Sequence, residues 1–466
     1  MEIATIPIRD ADGKEKFILF RPMKGIAFVG NRAMASLVSA LNQGTAPDQP
    51  EAVKFLHEIG FLEPDPPAPA LGRETYQPSS AVLLMTNDCQ LRCIYCYATA
   101  GERPKEELSF ELAKTVIDYV VDNAQKRGEK QFSISFHGGG EPVKAWKVMK
   151  ACVEYTRSQP IKSDITLTSN GLWSPRQTEW IIANLNGISL SIDGGPETQD
   201  RQRPTLSGRG SSRLAMRTVA ELDRHNFPYG IRMTATAPWT SLAEDVRFLC
   251  EETHCQSIQV EPAFNTGRSG HAQPSPEEGQ AFLEAVLKAY DVADEHQRKF
   301  YYAGARMGWV ADVFCAAPYN ALIVTPSGDL VTCYEVTSRD HPFAGLSTVG
   351  RVENGAVTLD LEARRRLHSL IAERREGCQE CFCYWSCAGN CYTRAFAPGP
   401  GGHLVYGELC NLTRTLVKEL LLRRIARGDG VWRLQAEQAQ PQYEQISLTA
   451  SPTANPGVDP GKGAGR

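Results

Sequence analysis

Between residues 81 and about 297 the hydrophobic and polar positions switch repeatedly between a strand-like and a helix-like period. Six short β-rich runs, "AVLLMTN", "FSISFHG", "ITLTSNG", "ISLSIDG", "YGIRMTAT" and "SIQVEPAF", each lead into a loop of glycine and polar residues and then an amphipathic helical pattern. In the first of these helices Leu112, Val116, Ile117, Val120, Val121 and Ala124 make one apolar stripe, with Gly128 just past its end. Helix starts are marked by Ser174 before Pro175 with Gln177, by Ser241 with Glu244, and by Ser275 before Pro276 with Glu278. In each, a hydroxyl and a long polar side chain can satisfy N–H groups that the first turn leaves open. Six strand–helix units in series predict an α/β fold with a parallel sheet and outer helices, either an open barrel or a doubly wound sheet. Active sites of such folds form at the C-terminal strand ends, so the loops after the six runs are expected to converge.

The flanks differ. Residues 1–63 alternate the strand-like runs "FILFRP" and "IAFVG" with two helical patterns, one opening on Asn31 and one closing on Gly60, which predicts a small α+β module of winged-helix size. Residues 64–80 read as a linker because prolines lack N–H donors and favour extended backbone. The expected division continues with 81–300 for the strand–helix repeats, 301–432 for a cysteine-rich C-terminal domain, and 433–466 for a disordered tail rich in Pro, Gly and polar residues. A terminal helix in the C-terminal domain carries Leu409, Leu412, Leu416 and Leu420 on roughly one side.

Composition narrows the setting. The 466 residues are 42% hydrophobic and 22% charged, enough to bury sizeable cores. There is no run of eighteen apolar residues, and the N-terminal stretch lacks the basic-then-apolar layout of a secretory signal, so a cytoplasmic protein is expected. Thiols stay reduced there, and clustered cysteines then point to metal binding or catalysis. The formal charge of -4 gives no hint of a nucleic-acid or membrane partner, and "ARRR" at 363–366 reads as a solvated helix face.

The loop after the first run reads "NDCQLRCIYCYATAG", with Cys89, Cys93 and Cys96 in C-x3-C-x2-C spacing. Three neighbouring thiolates can ligate three irons of a [4Fe-4S] cluster, leaving the fourth free for a substrate or cofactor. A zinc site completed by a distant residue, or three core thiols, are the alternatives. This stretch closely resembles the radical S-adenosylmethionine enzymes, and the resemblance implies a partial (β/α)6 TIM-like barrel in which the free iron is chelated by S-adenosylmethionine. By the same resemblance Tyr95 would contact adenine, and Gly139, Gly140 and Glu141 of "FHGGGEP" would bind the cofactor's amino group, to which a carboxylate and exposed carbonyls present acceptors. Ser191 would reach the ribose and Arg203 the cofactor carboxylate; the plain alternative makes Arg203 a surface arginine and Asp193 part of a tight turn. Glu261, at the end of the sixth run, is a further pocket candidate.

A second cysteine series begins at Cys315, continues through Gly328 to Cys333, and ends with Cys378, Cys381, Cys387 and Cys391 in C-x2-C-x5-C-x3-C spacing and then Cys410. That order resembles the SPASM extension of the same enzymes, which implies two auxiliary [4Fe-4S] clusters. Carried over residue by residue, Cys378, Cys381, Cys387 and Cys410 would hold the distal cluster and Cys315, Cys333 and Cys391 the nearer one, with one iron of the nearer cluster left without a thiolate. Cys383 is unused by the family pattern; it either fills that position or is a bystander in an aromatic turn. Cys152, Cys250 and Cys255 read as buried thiols.

The resemblance implies reductive cleavage of S-adenosylmethionine to a 5'-deoxyadenosyl radical, an electron donor such as flavodoxin or ferredoxin, and a peptide or small-protein substrate given a thioether or carbon–carbon crosslink or a side-chain oxidation. The N-terminal module weakly resembles PqqD-like domains, in which a leader peptide adds a strand to a sheet edge. Alternatives are a sulfatase-type formylglycine-forming maturase, an enzyme acting on a small molecule such as a tetrapyrrole or sugar, and a non-catalytic iron–sulfur or zinc redox sensor.

Overall fold

The computed structural model describes residues 1–45, 48–69, 76–268, 273–394, 397–398, 404–405 and 407–434. Part of the expected linker, 70–75, and nearly all of the expected tail, 435–466, lie outside the described residues. The N-terminal module begins with an antiparallel sheet of β1 (Ala4–Arg9), β2 (Glu15–Arg21) and β3 (Ile26–Gly30). The first of these strands did not stand out in the sequence, because Pro7 and flanking charges break its alternation. Helices Arg32–Asn42 and Pro50–Glu58 follow, the first capped by Asn31, whose side chain accepts from the Met34 N–H at 2.9 Å. Leu19, Phe28, Leu37, Leu56 and Phe61 form this module's own core.

The central sheet starts with β4 (Ser80–Leu84), β5 (Gln131–His137), β6 (Lys162–Ser169), β7 (Gly187–Ser191), β8 (Tyr229–Thr236), β9 (Ser257–Ala263) and β10 (Lys299–Tyr302). All seven pair in parallel and in strict sequence order. Sequential order is barrel-type winding; a doubly wound sheet reverses direction at a switch point. Six strands were expected, and β10 is a seventh, a four-residue run too short to show a period. The helices between the strands follow the predicted caps at Ser174 and Ser275, where both reciprocal hydrogen bonds form. Ser241 also begins a helix, Leu242–Glu252, but its side chain makes no capping bond.

On the other side of β4 the sheet continues through β11 (Ala321–Val324), parallel to β4, and then antiparallel β12 (Asp329–Val331), β13 (Thr348–Glu353) and β14 (Ala356–Leu359). The C-terminal cysteine region is therefore built onto the edge of the barrel sheet, beside the strand that leads into Cys89. Within the helix Leu361–Glu376, Arg364 is only 6% exposed and its guanidinium stacks over Tyr76 at 4.2 Å, so the arginine run is not wholly solvated. After the two-stranded ladder β15 (Ala397–Pro398) and β16 (Leu404–Val405), the helix Glu408–Arg427 buries Leu409, Leu412, Leu416 and Leu420. The chain then forms β17 (Val431–Arg433), which pairs antiparallel with β3. Trp432 is buried against Phe20, and this return strand completes a four-stranded N-terminal sheet.

Candidate cofactor and cluster site

The loop after β4 carries Cys89, Cys93 and Cys96, and neighbouring loops fasten it. Glu141 N–H donates to the Asp88 carbonyl and Gly140 N–H to the Thr86 carbonyl, each at 2.8 Å, which joins it to the loop after β5. Arg92 N–H donates to Pro204 at 2.7 Å and Ile94 N–H to Gln202 at 3.0 Å, which joins it to the segment after β7. Gly140 must be glycine: a Cβ there would stand 2.1 Å from the Asp88 oxygen. Arg268 donates to the carbonyls of Cys93 and Ala100.

The thiols themselves accept hydrogen bonds. Leu91 N–H and the Asn170 amide reach Cys89 Sγ at 3.4 and 3.8 Å, Ala100 N–H reaches Cys96 Sγ at 3.5 Å, and Arg203 reaches Cys93 Sγ at 3.9 Å. Burial pushes Cys89 up to about 12 and Cys93 up to about 11. Half-buried thiols that each accept an N–H suit thiolates whose charge a bound cation offsets, and hydrogen bonds to sulfur tune cluster potentials. These residues fit a cluster.

Glu141 is 2% exposed and ties two strand ends together. Its carboxylate accepts from Ser169 Oγ at 2.6 Å, Asn170 N–H at 2.9 Å and Val143 N–H at 3.3 Å, while burial raises it to about 6. Asp193 is the corresponding hub after β7. It is 0% exposed, and it accepts from Tyr95 Oη at 2.5 Å, Arg203 and Thr234 N–H at 2.9 Å, and Gln202 at 3.2 Å. Arg203, 7% exposed, stacks over the Tyr95 ring at 5.3 Å and is no surface residue. Its Nε is buried without a hydrogen-bond partner. Ser191 ends β7 half-buried, level with Arg232 of β8.

The second cysteine series divides in space. Cys378, Cys381, Cys387 and Cys410 line one pocket with Arg374 and Arg414. Cys383 lines the same pocket, buried to 1% exposure, and its hydrogen bond to Cys381 holds that thiol down to about 6. Cys315, Cys333 and Cys391 form the other group: Cys315 and Cys333 both feel the charge of Cys391, and Cys333 feels that of Cys315 as well. Thr393 Oγ1 lies 3.1 Å from Cys391 Sγ and 4.0 Å from Cys333 Sγ. Beside them Arg394 donates to Glu335 at 2.8 Å and to Glu261 of β9 at 3.2 Å, so Glu261 joins the barrel to the nearer thiols. Tyr97, raised by burial and by the charges of Glu335, Cys96 and Cys333, stands between the first loop and this group. Arg306 is buried where its charge reaches both Cys315 and Cys387. Tyr97, Asp193, Arg306, Glu335 and Arg394 were not assigned chemistry in the sequence; their importance rests on partners far away in the chain. Cys152, Cys250 and Cys255 are buried in the core.

Comparison with known proteins supplies the class. Residues 79–216 match a 4Fe-4S single cluster domain. The sporulation killing factor maturation protein SkfB of Bacillus subtilis is 28% identical over 199 residues, 42% of this chain and 45% of that protein. The serine-type anaerobic sulfatase-maturating enzyme of Klebsiella aerogenes is 23% identical over 339 residues, 67% of this chain and 78% of that enzyme. The chain spans about half the length of the curated relatives it matches at 28% and 30% identity. The solved structure of anSMEcpe with bound AdoMet covers 75% of this chain and 99% of its own, with a TM-score of 0.59 at 14% identity. These matches agree with the resemblance of the first cysteine loop and the parallel sheet to the radical S-adenosylmethionine enzymes. The cofactors of that class are a [4Fe-4S] cluster and S-adenosylmethionine.

Proposed function

We propose that this chain is a peptide or protein maturase in which Cys89, Cys93 and Cys96 hold the cluster that binds S-adenosylmethionine. The observation that carries the reading is the first loop itself: three thiols, each receiving a hydrogen bond, held at the mouth of a barrel by the loops after the second and fourth strands. When bound, cluster and cofactor supply a carbon radical able to take a hydrogen atom from an unactivated carbon. The protein's part is orientation. The loop at Gly139 and Gly140 presents backbone to the cofactor's amino group, with Glu141 locking that loop to the end of β6. The Asp193 hub fixes Tyr95 for adenine and Arg203 for the carboxylate, and Ser191 faces the ribose.

In this reading Cys315, Cys333 and Cys391 hold a nearer auxiliary cluster with a position open to a substrate thiolate, and Cys378, Cys381, Cys387 and Cys410 hold a distal one. Electrons arrive from a flavodoxin or ferredoxin. The maturation proteins among the relatives support a peptide substrate. A leader peptide adding a strand to the N-terminal sheet would pair with β1, because β17 occupies the β3 edge. No helix among the described residues is long and apolar enough to cross a membrane. Formylglycine formation is the second reading, favoured by the likeness to sulfatase-maturating enzymes over most of the chain.

The test is anaerobic incubation of reconstituted, reduced protein with S-adenosylmethionine and any small peptide found encoded beside its gene, followed by mass spectrometry of the peptide. A defined mass change, such as the loss of two hydrogens, is expected. An unchanged peptide with intact clusters would overturn the maturase reading, and a product bearing an aldehyde would favour the second.

A further inference from the structure

Arg232 sits in the middle of β8, between Ile231 and Met233, which are 1% and 2% exposed and belong to the core. Strand alternation turns Arg232 to the other face, the inside of the open barrel. Parallel pairing sets it level with Ser191 of β7 and Gln259 of β9, and Gln259 is level in turn with Tyr301 of β10. Both flanking partners are neutral. The nearest carboxylate along this face, Glu261, is level with Thr234 and already engaged by Arg394. Among the described residues the Arg232 side chain makes no hydrogen bond or ion pair, although it is half-buried.

A cation held inside a protein is normally paired, because an unpaired one forfeits hydration without compensation. The charge of Arg232 is felt by His137 at the end of β5, by Tyr301, and by Cys315 and Tyr334 of the nearer auxiliary group. Its charge therefore couples both to the end of β5 and to the nearer thiols. The His137 and Tyr334 rings, 5.1 Å apart, form an aromatic wall beside it. A guanidinium fork binds a carboxylate through two parallel hydrogen bonds, the pairing this position lacks.

We propose that Arg232 is the substrate-anchoring residue of the barrel, gripping a carboxylate of the peptide and so placing the neighbouring residue between cofactor and nearer auxiliary site. The proposal rests on the maturase reading and names one recognition element for it. The carboxylate belongs either to an Asp or Glu side chain or to the peptide's C-terminus.

Two random heptapeptide libraries, one with free and one with amidated C-termini, are offered to the reconstituted protein in the presence of S-adenosylmethionine, and retained peptides are identified by mass spectrometry. The wild type is expected to enrich acidic peptides at least about tenfold. Enrichment in both libraries assigns a side chain; enrichment of free over amidated termini assigns the C-terminus. Arg232→Gln should abolish the preference and Arg232→Lys retain part of it. A wild type that enriches neither acidic side chains nor free over amidated C-termini overturns the proposal without need of a variant. So does a preference that survives in Arg232→Gln, or loss of S-adenosylmethionine binding in that variant, which would give the guanidinium to the cofactor. A wild type that cannot cleave S-adenosylmethionine when reduced would sink the maturase reading instead, so the two failures are distinguishable.

Discussion

The two C-terminal thiol groups are built on opposite plans. The distal pocket gathers five cysteines, with Arg374 and Arg414 beside them, and Cys383 is hydrogen-bonded to its neighbour Cys381. The nearer group has three cysteines set among a threonine, a carboxylate and an arginine, and Arg394 links it to β9 of the barrel. Surplus thiols beside a pocket suit a closed, fully ligated cluster. A short thiol set tied to the barrel wall suits a site that shares the substrate chamber. Position relative to the sheet thus separates two cysteine groups that the sequence interleaves, since Cys391 follows Cys387 by four residues yet crosses to the other group.

If the comparison holds, Cys333→Ala should have the largest effect, removing about four irons per chain, the content of one cluster. Peptide product should disappear while S-adenosylmethionine is still cleaved. Iron analysis together with product mass spectrometry checks this, and full iron retention would mean that Cys333 is no ligand. Arg394→Met should come next, because it leaves Glu261 and Glu335 facing each other without their shared cation. Both carboxylates are partly shielded, so a loss of about 1–3 kcal/mol is expected, read from the anaerobic thermal transition of the holoprotein. The spectrum of the nearer cluster should change and that of the distal one should not. Cys383→Ala should be smallest: iron content stays constant, and only the distal potential moves, by roughly 40 mV to more negative values for one lost hydrogen bond of about 1 kcal/mol. A shift in the nearer cluster instead would reverse the assignment of Cys383.

Much of this architecture was legible in the chain. The six strand runs, the Ser174 and Ser275 caps and the cysteine spacings are local patterns, and local patterns survive folding. The exceptions share one physical origin. Strand β17 is three residues long and exists because β3 offers it an edge. Arg203, Arg232 and Arg364 are charged residues whose burial depends on partners brought by tertiary structure: Asp193 for the first, the barrel interior for the second, Tyr76 for the third. Asp193 read as part of a tight turn, but its carboxylate takes four donors from three segments. A carboxylate's neighbours cannot be counted along the sequence.

The most direct measurement of the central claim is 5'-deoxyadenosine formed by the anaerobically reconstituted, dithionite-reduced protein with S-adenosylmethionine. The account predicts its formation by the wild type and by Cys383→Ala, and its loss in Cys93→Ala. Iron-loaded wild type that forms none, or Cys93→Ala that forms as much as the wild type, would contradict it.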